Sequence, residues 1–307
     1  MALDTAKATV ILKDLTKKFD NAVQASVPFY PRVCTTVPSD GLDEKYGILG
    51  QMPGVREWLD DRQFKELRSG NFTIANRHWE SSLAIKKTDL ADDRMALYGP
   101  LMEQLGAEAT HHPDELLFTA ILDGQTAACF DGQFFFDTDH AWGDSGSQDN
   151  DLTSNIATPS APTAAEFLTS YHAARTAMMK FKNDQGKFMN RAIFTSQANL
   201  LCLVPPEHEL AAHQAFEGRT MGGATSADVV VDRPQVATSP LLTNNDRWYL
   251  LNLSAPLKPF VFQARSPLER QMKGLDDIET KDVKFMTEAR YNVGYLAWWT
   301  AVLTTFT

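Results

Sequence analysis

The chain has 307 residues, 22% of them charged and 43% hydrophobic, with a formal net charge of -10 and a pI near 5.2. That length holds one large domain or two ordinary ones, with ample core. The acidic balance keeps the protein soluble and excludes the molecule as a whole from gripping nucleic-acid phosphates, which takes Lys/Arg patches.

Three cysteines, Cys34, Cys129 and Cys202, lie far apart without a CxxC pair, so neither a zinc site nor a disulfide framework is expected. Scattered thiols in odd number fit a reducing compartment. The opening MALDTAKATVILKDL lacks the basic start and apolar core of a signal peptide. Tyr295–Leu303 is apolar but too short to span a bilayer, which takes about twenty residues. The expectation is a protein that is soluble and intracellular when made, with no membrane partner.

Residues 3–20 read as an amphipathic helix, with Leu3, Ala6, Val10, Ile11, Leu15 and Phe19 on one side. Residues 26–55 are punctuated by Pro28, Pro31, Pro38, Gly41, Gly47, Gly50 and Pro53. Such an arm must lie on something, either its own core or a neighbour. Val55–Leu67 predicts a short helix.

Phe72-Thr73-Ile74-Ala75 alternates, Asn76-Arg77-His78 breaks the run, and Trp79, Ser81, Leu83 and Ile85 then share one face at period two. This predicts a half-exposed β-ribbon over about Gly70–Lys87 with no evident partner in its own chain. A two-stranded ribbon is marginal alone. Phe72, Ile74, Arg77, Trp79, Leu83 and Ile85 are therefore candidate inter-subunit contact residues.

Asp89 opens a helical stretch to Gly124 whose recurring face carries Leu101, Leu105, Ala109, Leu116, Leu117, Ala120 and Ile121. Pro100 and Pro113 interrupt it, and acidic Asp114 and Glu115 suit a helix start. A kink or break is expected near His111-His112-Pro113. Cys129–Phe136 carries a hairpin signal with Asp131-Gly132 at the turn. Residues 137–162 are a polar excursion rich in aspartate.

Thr163 and Glu166 form a capping box, and Phe167, Tyr171, Ala174, Met178 and Phe181 follow at helical spacing. Ala192-Ile193-Phe194 reads as a strand, Leu200–Val204 is apolar, and a helix is expected after Pro205-Pro206. Val229–Val231, Trp248–Leu253, Pro259–Gln263 and Val283–Trp299 predict a strand-rich last third.

Few residues are grouped for chemistry. Asp137-x-Asp139-His140, with Asp131 close in sequence, is the best metal-like cluster, and a metal-binding hydrolase using it is the alternative reading. Asp144, Asp149 and Asp151 could add oxygen ligands. The EF-hand pattern is absent, and a solvated acidic loop is the simpler account. His111 and His112 are adjacent on a helix and point about 100° apart. Asp92-Asp93 fits a helix N-terminus better than an acid/base pair. GxSxG, HExxH, P-loop and GxGxxG patterns are absent, Gly222-Gly223 reads as a loop, and Cys129 as packed. No catalytic residue, metal or cofactor is expected.

The segments Pro53-Gly54-Val55-Arg56-Glu57-Trp58, Trp79-Glu80, Asp92-Asp93, Cys129-Phe130-Asp131-Gly132 with Phe135-Phe136 and His140, and Arg290-Tyr291-Asn292-Val293-Gly294-Tyr295 carry a family resemblance in their order and spacing. Over about Val33–Trp298 the chain resembles the major head (capsid) proteins of Mu-like phages, a branch of the tailed-phage, HK-ninety-seven-type capsid fold.

The resemblance implies an α+β fold in five parts. These are an N-terminal helix and arm (1–69), an extended β-hairpin loop (70–88), a spine helix with the first part of a peripheral domain (89–160), an axial domain (161–282), and a return to the peripheral sheet (283–307). It implies a structural protein that assembles as hexamers and pentamers into an icosahedral head around double-stranded DNA, with weak, non-specific DNA contact. An encapsulin-like shell shares the assembly logic. Implied partners are further copies, a scaffold/protease, a portal and decoration proteins. The lack of a long charged helix before the arm points to a separate scaffold.

Overall fold

A computed structural model describes residues 5–49, 69–91, 95–195, 198–217, 232–273 and 282–307. The expected helix at 55–67, Asp92-Asp93, Gly222-Gly223 and the expected strand at 229–231 lie outside the described residues.

Two sheets and a ribbon organise the chain. The first sheet contains β1 (Cys34–Pro38), β4 (Arg77–Lys86), β9 (Phe260–Lys273) and β10 (Asp282–Tyr295), in the order β1-β9-β10-β4. β9 and β10 are 14 residues each and pair antiparallel, β1 lies parallel on β9, and β4 runs antiparallel to β10 from Asp282↔Lys86 to Tyr291↔Arg77. The second sheet contains β5 (Asp151–Ser154), β6 (Leu200–Val204), β7 (Gln235–Thr238), β8 (Arg247–Asn252) and β11 (Ala301–Phe306), in the order β5-β11-β8-β6-β7. β2 (Asp43–Leu49) and β3 (Ser69–Ala75) form a separate antiparallel ribbon.

This pairing corrects the expected ribbon. β3 and β4 do not pair with each other: β3 returns to β2, and β4 joins the first sheet along its whole length. The alternation in Trp79–Ile85 marks a sheet face that its own chain covers. Ile85 packs with Val283 and Phe285 against Ile11, Leu12, Leu15 and Phe19 of α1 (Thr5–Ala25). Val10, expected on that buried side, is instead 68% exposed.

The arm is also more regular than its prolines and glycines suggested. α2 (Tyr30–Val33) leads straight into β1, and β1 lies on the chain's own β9.

After α3 (Lys87–Ala91), the long helix α4 (Met95–Leu122) runs without a break through Pro100 and Pro113. An interior proline costs about 3 kcal/mol. Burial of Met102, Leu117, Phe118 and Ile121 returns roughly 1.5–3 kcal/mol each, so packing wins. Asp114 does not restart the helix. Its carboxylate reaches sideways and accepts the backbone N–H groups of Phe29 (2.9 Å) and Tyr30 (2.7 Å), fixing α2 on α4.

The Asp-Gly turn forms as expected, with Gly132 at φ +89° and Cys129 N–H donating to the Gln133 carbonyl at 2.7 Å. The capping box forms too: Thr163 Oγ1 accepts the Glu166 N–H at 3.3 Å and Glu166 Oε2 accepts the Thr163 N–H at 2.9 Å. It opens α5 (Ala164–Lys180), which buries Phe167, Leu168, Tyr171, Ala174 and Met178. Phe167 lies 5.0 Å from Trp248 and 5.9 Å from Phe306, which seats the helix on the second sheet.

The expected strand at 192–194 is instead part of α6 (Arg191–Phe194). Buried Asn190 holds the preceding turn through bonds of 2.8 Å to the carbonyls of Met178 and Trp299. α7 (Glu209–Glu217) packs on α5. The expected segments do not follow the sheets: β5 and β11, placed with the peripheral part, lie in the second sheet, and β9, placed in the axial part, lies in the first.

Candidate subunit-contact surface

The six candidate contact residues are largely engaged by their own chain. Ile85 is fully buried and Ile74 is 5% exposed, seated over Gly294, where a Cβ would lie 2.3 Å from the isoleucine Cδ1. Leu83 packs half-buried beside the α1–α4 cluster. Trp79 donates its indole N–H to the Tyr291 carbonyl at 3.0 Å and lies 4.4 Å from the His112 ring. Phe72 stacks on Tyr46 at 5.1 Å within the ribbon. Arg77, opposite Tyr291 at the start of β4, is exposed. The expectation of an unpartnered apolar face is corrected, because β10, α1 and α4 occupy it.

A cleft of about 260 Å³ opens beside Trp79, walled by Leu105, Ala109, His112, Leu268 and Tyr291. Tyr291 donates its hydroxyl to, or accepts from, His112 Nδ1 at 2.8 Å, and desolvation pulls the His112 pKa down. This set has no nucleophile in reach of a base and orienter.

Other surfaces are open. Val27 is 83% exposed, Leu42 76% and Leu210 68%, and the half-exposed rings of Phe188 and Phe194 meet edge-on at 5.9 Å. Leu42 gives no periodic signal because it stands alone among Asp40, Gly41, Asp43 and Glu44, and Phe194 lies in the segment whose apolar run reads as a strand. β4 is an edge strand of ten residues, and its outer side has no strand partner among the described residues.

The acidic excursion is a stapled loop. His140 Nδ1 meets Asp131 Oδ2 at 2.7 Å, with the two side chains 0% and 3% exposed, and the imidazole stacks on Trp298 at 3.9 Å. Asp137 accepts the Phe134 and Thr138 N–H groups at 3.1 and 2.8 Å, and Asp139 accepts from Gln133 Nε2 at 2.8 Å. Burial raises the pKa of Asp149 and of Asp151. Among the described residues, no group of three or more His, Cys, Asp or Glu is placed to hold a metal ion. The hydrolase alternative loses its constellation here, because Asp137 and Asp139 are bonded within the loop and Asp131 is turned to His140 Nδ1.

All three cysteines are buried, and desolvation pushes their thiols well above the ordinary range. Among the described residues no helix is long and apolar enough to cross a membrane.

The family model described as "Mu-like prophage major head subunit gpT" matches residues 9–170 and 233–305. The Mu-like prophage FluMu major head subunit of Haemophilus influenzae is 40% identical over 127 residues, 41% of each chain. The major capsid protein of Escherichia phage Mu is 31% identical over 140 residues, 46% of each chain. These matches span less than half the length of the curated relatives. Among solved structures, the procapsid of bacteriophage JBD30 superposes with a TM-score of 0.57 at 25% identity, covering 98% of this chain and 75% of that one.

Proposed function

Since the chain belongs to the family of the Mu-like prophage major head subunit, with the α+β fold of tailed-phage capsid proteins, we propose that it is the major capsid protein of a phage head. The observation that carries this reading is the family match, which takes in all four strands of the first sheet and both strands of the ribbon. The family is a structural one, and the role is building, not catalysis.

Copies of the chain assemble as hexamers and pentamers into a closed icosahedral shell. The first sheet with α1 and α4 serves as the peripheral body, and the second sheet with α5 and α7 as the axial body. The β2–β3 ribbon is the extended loop, and with the open edge of β4 and exposed Arg77 it offers contacts to neighbours. Contacts of this head-to-tail kind around a ring need one patch to complement a different patch on the next copy. Packaged double-stranded DNA is held by weak, non-specific contact, because a subunit of net charge -10 leaves few Lys/Arg to neutralise phosphates. A scaffold/protease, a portal and decoration proteins complete the particle.

Sedimentation and electron microscopy of the purified chain, alone and co-expressed with its scaffold, test this. Closed particles free of nucleic acid are expected. A chain that stays monomeric at high concentration even with its scaffold, or that binds DNA tightly at physiological salt, contradicts the reading.

A further inference from the structure

Five side chains from four separate segments close a hydrogen-bond circuit under the root of the β2–β3 ribbon. Tyr46 Oη donates to Gln263 Oε1 at 2.8 Å, and Gln263 Nε2 donates to Asn76 Oδ1 at 2.7 Å. Asn76 Nδ2 donates to Ser39 Oγ at 2.7 Å, and Ser39 Oγ donates to Glu44 Oε1 at 3.0 Å. Tyr46 and Glu44 sit two residues apart on β2, so the circuit leaves and returns to the same strand. All the bonds run in one sense and end on a carboxylate. That carboxylate also accepts the N–H groups of Asp40 (2.9 Å) and Gly41 (3.0 Å), which lower its pKa.

The same residues hold the backbone at both roots. Gln263 Nε2 also donates to the Ile74 carbonyl at 3.2 Å, and Asn76 donates through Nδ2 to the Gly41 carbonyl at 2.9 Å and through its backbone N–H to the Leu42 carbonyl at 2.8 Å. Gln263 is fully buried and follows buried Phe260, Val261 and Phe262 on β9. A polar amide there must be bonded to be tolerated. Apolar residues of like shape at both partners can be as stable, so stability alone does not call for it. Gln263 and Ser39 are buried and Tyr46, Glu44 and Asn76 half-buried, and what such a satisfied network adds is one geometry. A two-stranded ribbon cannot set its own angle to the body.

We propose that the Tyr46–Gln263–Asn76–Ser39–Glu44 circuit is a positioning device that fixes the direction in which the ribbon leaves the body. Resting on the shell reading above, it thereby sets the geometry of contacts between copies.

The test places spin labels at Lys45→Cys on β2 and Thr119→Cys on α4, both exposed, in a protein whose native cysteines are buried. The distance distribution in the unassembled subunit is expected to be narrow. Gln263→Leu should broaden or shift it, and Asn76→Ala serves as a second variant should Gln263→Leu fail to fold. Val261→Ala, a buried change on the same strand outside the circuit, should lower Tm and leave the distribution narrow. A folded circuit variant with the original distribution overturns the proposal, as does broadening in Val261→Ala to the same extent.

In assembly, Gln263→Leu should give aberrant or no particles while Val261→Ala gives normal ones. Normal particles from Gln263→Leu overturn the link to shell geometry. Absence of particles from the unsubstituted chain counts against the shell reading and leaves the distance result to stand on its own.

Discussion

Trp79 is tied to Tyr291: its indole N–H meets the Tyr291 carbonyl at 3.0 Å, and the two residues flank His112 on α4. That relationship adds a side-chain bond to the ladder that pairs β4 with β10 and seats both strands against the long helix. It turns a residue that looks from sequence like an outward contact into part of the subunit's own body.

Replacing Trp79 with Ala should therefore destabilise the isolated subunit itself. The ring is half-buried, so the loss should be about 2 kcal/mol, roughly half of what a fully buried Trp costs. Urea unfolding of the unassembled chain checks this. An unchanged midpoint would mean that the ring serves neighbours alone.

Asp114 joins the arm to α4 through the N–H groups of Phe29 and Tyr30. Asp114→Ala leaves two donors without a partner and should cost about 2–3 kcal/mol. The loss should be local first, with amide exchange accelerating in residues 29–38 before it does in β9 and β10. Uniform acceleration across the first sheet would argue against a latch.

His208 is fully buried, 5.4 Å from Phe306 and 6.4 Å from Phe167, and its Nε2 donates to the Pro159 carbonyl at 3.2 Å. Desolvation holds its pKa below the ordinary value of 6.5. A depressed histidine pKa means the unfolded chain takes up the second proton more readily. Its contribution is then fully present above about pH 6.5 and is lost as pH falls toward the lower folded value. The unfolding midpoint should drop between about pH 7 and pH 5 by more in the natural chain than in His208→Gln. Parallel pH profiles for the two would remove His208 as the cause.

Chelator should leave the unfolding temperature unchanged, since His140 pairs with Asp131, Asp137 accepts from the loop backbone and Asp139 accepts from the Gln133 amide. A bound ion would stabilise the folded form by mass action. A drop of several degrees on adding EDTA would restore the metal reading of this loop.

Much of the local structure was legible in the sequence because its causes are local. Thr163 and Glu166 cap α5 through side chains three residues apart, and Gly132 takes a positive φ that an Asp-Gly turn requires. The family motifs, spread along the chain, carried the fold and the shell reading. What only the tertiary structure decided was partnership. Period two in Trp79–Ile85 says that one face is covered, but not by what, and β10, sixth in chain order after β4, supplies the cover. The prolines of α4 spoke for a break, and burial at both ends of the helix outweighed them. Gln263, a lone amide in an apolar run, gave no sign in sequence of the circuit it closes. Its partners come from residues 39, 44, 46 and 76, and only the folded chain brings them together.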